Sequence, residues 1–209
     1  MSARRFARWM VASLICAPYV GAIAAQTLTV REAARLHGVG RGPLYLGRFE
    51  EPNPLSLASM VRGADLIVEG SLTLVNTSLS NDQRWLTTEF AAGITRTLAD
   101  RGNRIAQRLP GPNPVLIRQS GGRSTFDGVD VIAEVVELPL LPVDEPLLLC
   151  LKYDGTTDRY EIVGTFAAFA IRQATVVPLA KSAFADEHFK GLAHERFIGD
   201  LQTELAFQH

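Results

Sequence analysis

Residues 56–75, SLASMVRGADLIVEGSLTLV, decide how the rest of the chain is read. Ser56 has the chemistry of an N-cap, Leu57, Met60 and Val61 share one helical face, and Gly63 is the stop. From Asp65 the period changes to two. Leu66, Val68, Gly70, Leu72 and Leu74 then fall on one face of a strand, and Asp65, Glu69, Ser71 and Thr73 fill most of the other.

The residues that follow read as strands added to this one. Trp85 to Leu98 alternates, with Leu86, Phe90, Ala92, Ile94 and Leu98 on one face. Between the two runs lie the turn formers Asn76, Ser78, Ser80, Asn81 and Asp82, so the pair is a long hairpin. Gly70 and Gly93 are the places for such long arms to bend. Residues 99–114 are expected to be a loop, followed by a short strand over Val115–Gln119. Ser120-Gly121-Gly122 and Asp127-Gly128 bracket a turn region, and Val129 to Leu138 alternates again. Leu147 to Tyr153 is apolar almost throughout and predicts a central strand buried on both faces. Tyr160–Gly164 and Phe169–Val177 end the β region. Residues 182–207 read as helix, broken near Gly191, with Phe197, Ile198, Leu201 and Leu205 on one face.

About seven strands with modest connections and no βαβ spacing predict a mainly β chain. The expected architecture is an antiparallel OB-like barrel over residues 56–180, with a sandwich as the alternative. A short helix precedes the first strand, and a C-terminal helical segment, 181–209, covers an open end or edge.

Residues 1–25 have the form of an export signal. Arg4, Arg5 and Arg8 precede an uncharged apolar run from Trp9 to Ala22, and Ala22-Ile23-Ala24 supplies the small residues a signal peptidase reads. The run is short of a membrane span and Pro18 interrupts it. The expected location is therefore periplasmic or extracellular, with no transmembrane segment once the signal is cleaved. Residues 26–55 are read as an irregular lead-in. Within it, Val30–Leu36 fits two helical turns capped by Thr29 and stopped by Gly38, and the glycine-rich run at 37–48 is expected to be a flexible loop. Its G-x-G lacks the preceding strand and following helix of a phosphate loop.

Three of the 21 Lys+Arg residues lie in the signal, so its removal leaves 18 basic against 22 acidic residues, a charge of about −4. That balance excludes a whole-domain nucleic-acid binder. Cys16 leaves with the signal and Cys150 stands alone in an apolar strand, so no internal disulfide is expected and Cys150 reads as a buried small hydrophobe.

The order Ala64-Asp65-Leu66-Ile67-Val68-Glu69-Gly70, a polar turn, and Thr87-Thr88-Glu89-Phe90 resembles a group of uncharacterised exported bacterial proteins. Val115-Leu116-Ile117-Arg118, Gly121-Gly122, Glu145 before Leu147-Leu148-Leu149, and Tyr160-Glu161-Ile162-Val163-Gly164 continue the resemblance, which spans about residues 56–177. It implies a small OB-type barrel, similar in shape to netrin-like modules, and an exported compartment. It implies no activity. The N-terminal cysteines on which netrin-like inhibitors depend are missing here.

No motif for catalysis, metal or cofactor binding stands out. His188 and His194 are six apart and fall on different helical faces, and His194-Glu195 opens no H-E-x-x-H because Ile198 stands at the second histidine. Gly122-Arg123-Ser124-Thr125-Phe126 lacks the second glycine of a nucleophile elbow. The expected catalytic, metal and cofactor sets are therefore empty. One local bias remains. Arg96, Arg101, Arg104, Arg108, Arg118 and Arg123 are interrupted by a single acid, Asp100. Guanidinium forks suit carboxylate, sulfate or phosphate, so these six form a candidate anion-binding rim, against the alternative of a solvated arginine loop. No aromatic residue lies between Phe90 and Phe126 to stack a base. The expected function is an exported binding or scaffold module that recognises an envelope protein or an anionic polymer through its loops. The alternative is a secreted enzyme whose site is assembled from dispersed residues.

Overall fold

The computed structural model describes residues 28–48, 56–105, 114–164 and 167–208. Residues 1–25, expected to be an export signal, lie outside the described residues. No described helix is long and apolar enough to cross a membrane.

The chain is mainly β. Its helices are α1 (Val30–His37), α2 (Leu57–Gly63), α3 (Ala183–Phe189) and α4 (His194–Ala206). Its strands are β1 (Leu44–Arg48), β2 (Leu66–Leu79), β3 (Leu86–Asp100), β4 (Val115–Ser120), β5 (Gly122–Phe126), β6 (Val129–Val135), β7 (Leu147–Asp154), β8 (Arg159–Ile162), β9 (Ala168–Arg172) and β10 (Thr175–Pro178). They form a seven-stranded sheet of order β10-β9-β7-β2-β3-β4-β8, with β7 also paired to β8, and a three-stranded sheet of order β1-β6-β5.

Two expectations are corrected by this topology. The sheets are mixed rather than antiparallel, because β1 pairs β6 in parallel and β4 meets β8 in parallel. The lead-in is not irregular throughout. Residues 44–48, expected in a flexible loop, make a strand against β6 because Leu44 and Leu46 join the cluster of Val30, Ala34, Phe126, Val131 and Ala133. The helical turns of that lead-in are present, with Thr29 and Glu32 in a reciprocal capping box.

Three apolar clusters hold the chain. One lies between the large sheet and the helices. There Ile67, Leu148, Cys150 and Phe169 pack on Met60 and Val61 of α2 and on Phe197, Ile198 and Leu201 of α4. The Phe169 ring meets those of Phe197 and Phe189 edge-on at 5.0 and 5.6 Å. The second cluster fills the other face with Leu66, Val68, Leu72, Phe90, Ile117, Leu147, Leu149, Leu151 and Tyr160. The third joins the small sheet and α1 to Leu86, Leu79 and Trp85 at the tip of the β2–β3 hairpin.

β7 is central as its apolar run predicts, buried from Leu147 to Leu151 between β2 and β9. The C-terminal helices cover a face of the sheet rather than an end, and residues 191–193 cover its edge. Val176 N–H donates to the Leu192 carbonyl, and Gly191 N–H to that of Val176, both at 2.9 Å.

The long hairpin bends where its glycines stand. The register shifts between Glu69 and Gly70, and a Cβ on Gly70 would lie 2.3 Å from the Gly93 carbonyl oxygen. The extra residue there, Thr95, changes the phase of β3. Ile94 packs into the second cluster and Leu98 into the first, so the single face expected for both divides into two. Leu74, expected inward, is 54% exposed and stands at a further register shift, between Leu74 and Asn76.

Candidate functional site

A cleft of about 560 Å³ opens on the large sheet. The end of β2 gives it Ser78 and Leu79, the hairpin turn Ser80 and Asn81, and β3 Thr87 and Glu89. β4 gives Arg118, Gln119 and Ser120, and β8 with its following turn gives Glu161, Ile162 and Gly164. Val135 and Leu138 form the remaining wall.

Local sequence fixes each part. In the hairpin turn the Ser80 hydroxyl donates to Asp82 Oδ1 at 2.6 Å and accepts from Trp85 N–H at 3.0 Å. That hydroxyl, with the Arg84 amide, holds the Asp82 carboxyl below its ordinary value. On β4 the alternation turns Val115, Ile117 and Gln119 inward and Arg118 and Ser120 outward. Gln119 is 5% exposed and bonded through both ends of its amide. Its Nε2 donates to the Pro139 carbonyl and its Oε1 accepts from Leu141 N–H, both at 2.9 Å. The buried amide thus clips the 136–146 segment to the sheet and fixes the wall.

Charge in the cleft is paired within the chain. Glu89 and Arg118 are register partners on β3 and β4. Arg159 Nε reaches Glu89 Oε1 at 2.9 Å. Arg118 pairs with Glu161, with Nε to Oε1 at 3.1 Å, and its Nη2 reaches Asp154 Oδ2 at 3.3 Å. Asp154 also accepts from the Thr157 hydroxyl at 2.6 Å and the Thr156 amide at 2.9 Å, and these hold its carboxyl below the ordinary value. Three carboxylates thus face two guanidiniums, and the hydroxyl and amide groups of Ser78, Asn81, Thr87 and Ser120 stand beside them.

The six arginines of the candidate rim fall in several places. Arg96 lies 3.9 Å from Glu69. Arg101 donates to the Arg62 and Val61 carbonyls at 2.9 and 3.0 Å and to Gln208, tying the end of α2 to the end of the chain. The Arg104 guanidinium sits 3.8 Å from the centre of the Tyr153 ring, and its Nε has no hydrogen-bond partner among the described residues. Arg104 and Arg118 therefore converge on adjacent residues of β7, Tyr153 and Asp154. Arg123 is exposed on β5, with no ion-pair partner among the described residues. Arg108 lies outside the described residues.

Sequence reasoning missed Glu89, Asp154, Arg159 and Glu161, whose partners are 36 to 70 positions away. Gln119 had a signal: a polar residue at an inward position of an apolar alternation. A second long-range pair, His194 Nε2 to Glu69 Oε1 at 2.5 Å, joins the start of α4 to the bend in β2. Among the described residues no group of three or more His, Cys, Asp or Glu side chains is placed to hold a metal ion. Cys150 is fully buried and burial pushes its thiol up to about 12. The stripe Phe197, Ile198 and Leu201, which would tether the chain to a partner if exposed, is buried instead. A scan against protein-family models finds no match, and a search of curated proteins finds no relative.

Proposed function

We propose that this chain is an exported binding module, built as an OB-like barrel, that holds an extended polar segment of an envelope protein in the cleft on β3, β4 and β8. The barrel reading is supported by a circuit of pairings, β2–β3–β4–β8–β7–β2, with Greek-key connectivity. The observation that carries the binding reading is the contrast between this circuit's two sides. Inside, Leu66, Leu72, Phe90, Ile117, Leu149 and Leu151 pack together, and the inward Gln119 amide is taken up by the Pro139 carbonyl and the Leu141 amide. Outside lies the hydroxyl- and amide-lined cleft. A packed interior favours a recognition surface over an enzyme site inside the barrel mouth. Among the described residues that line the cleft none is aromatic, while its serine, threonine and asparagine groups suit a peptide backbone.

A photo-crosslinking amino acid at Thr87, inside the cleft, tests this. Cells expressing the full chain are expected to give a discrete adduct with an envelope protein, absent when the probe is at the exposed Gln202 of α4. No adduct, or the same adducts from both positions, overturns the reading.

The anionic-ligand reading keeps one supporting observation, the exposed Arg123. Arg123→Glu combined with Arg104→Glu and Arg108→Glu is expected to lower retention on heparin if the rim binds anions. Unchanged retention removes it.

A further inference from the structure

The link that completes the strand circuit is its thinnest. β3 pairs β4 from Thr87–Ala92 against Val115–Ser120, and β7 pairs β8 from Leu151–Asp154 against Arg159–Ile162. β4 meets β8 through one parallel residue pair, Ile117 with Tyr160. Side chains supply the rest of that seam. Arg118 of β4 reaches across to Glu161 of β8 and Asp154 of β7, and Arg159 of β8 reaches to Glu89 of β3. These five side-chain ends range from 21% to 48% exposed. They are accessible enough for salt or a charged ligand to compete, and long backbone ladders do not back them up.

We propose that the β4–β8 seam is an ionic latch, at which the strand circuit parts when its arginine–carboxylate pairs are screened or competed for, while the other strand pairings hold. The partition follows from what holds each boundary. β2 is kept by two backbone ladders, with β3 and β7, and by apolar clusters on both faces. β8 is a four-residue strand whose contact with β4 is one backbone pair, the Ile117–Tyr160 packing and the ion pairs. Glu89, Arg118 and Glu161 also line the cleft, so a charged group lodged there acts on the latch directly. The latch depends on strand and charge pairing and stands whatever occupies the cleft.

Hydrogen exchange of the full chain at fixed pH, between about 20 mM and about 1 M NaCl, tests the latch over the range where screening shortens from roughly 20–30 Å to 3 Å. Within 115–120 and 159–162, the amides that face the seam rather than the β3 or β7 ladder are expected to exchange about three- to tenfold faster at high salt, with those of 66–70 unchanged. Arg118→Gln is expected to raise seam exchange at low salt and to flatten the salt response, and Glu161→Gln to do the same more weakly, since Asp154 still holds Arg118. A seam indifferent to salt in the unsubstituted chain overturns the proposal. So does acceleration spread evenly over β2 and β7, which is the signature of global unfolding. The salt series on the unsubstituted chain decides the matter if either variant fails to fold.

Discussion

At Gly70 the absence of a side chain is a packing requirement. β2 and β3 approach so closely that the Gly93 carbonyl occupies the space of a Cβ. Gly70→Ala is expected to cost about 2 kcal/mol in urea unfolding through forced backbone displacement. Gly93→Ala, whose Cβ would meet nothing nearer than 3.7 Å, is expected to change stability by less than about 0.5 kcal/mol. Cys150 offers a second check at this scale. A thiol with no exposed surface and a titration point near 12 is neutral and out of reach at pH 8. Iodoacetamide is therefore expected to leave Cys150 unmodified in the native chain and to alkylate it in urea; rapid alkylation of Cys150 in the native chain, read by peptide mass, would show that β7 is not buried. Both residues were legible in the sequence, because a glycine inside a long alternating strand and a cysteine inside an apolar run each have one dominant physical reading. The cleft's ion pairs were not, because charge pairing between positions 43 or 70 apart leaves no periodic trace.

Among the elements, α4 carries the clearest expectation. Phe197 is 1% exposed and its ring meets those of Phe169 and Phe189. Phe197→Ala is expected to destabilise the chain by about 3–4 kcal/mol and to speed exchange across α4 first. An effect below about 1 kcal/mol would mean that the helix is not docked as described. The helical face of α4 could be read from its 3.6-residue period, but not what it covers, since period shows which side is apolar and not which surface it meets. Strand phase was legible only as far as the first bulge. Thr95 turns Leu98 to the opposite side from Ile94, and an extra residue in one strand is invisible until its partner is known. β1 was missed for a related reason. Tyr45 and Gly47 are exposed and Leu44 and Leu46 only half-buried, so its five residues gain order from β6, some ninety positions away.

On the scale of the whole molecule, carboxylates set the acid limit. Glu145 is held below its ordinary value by Arg172, and Asp154 by the Thr157 hydroxyl and the Thr156 amide. A depressed carboxyl binds its proton more weakly in the folded chain than in the unfolded one. Its contribution is therefore present above the unfolded value, near 4, and is lost as pH falls through the folded value. The melting temperature is expected to hold between pH 7 and 5 and to fall from about pH 4 downward; a flat profile to pH 2.5 would show that these contacts do not contribute. The two sheets answer to that loss together, because the chain passes from β4 to β5 through a single residue, Gly121. Gly121 and Gly122 both have positive φ, and a Cβ on either would strike the Ala133 carbonyl or the Thr88 hydroxyl. There is no slack at that crossing. One inserted residue would exchange the two sides of β5 against β6. Linkers, tags and reporter insertions should therefore be rejected at 121, which makes the junction, more than either sheet, a part of the chain with little freedom to vary.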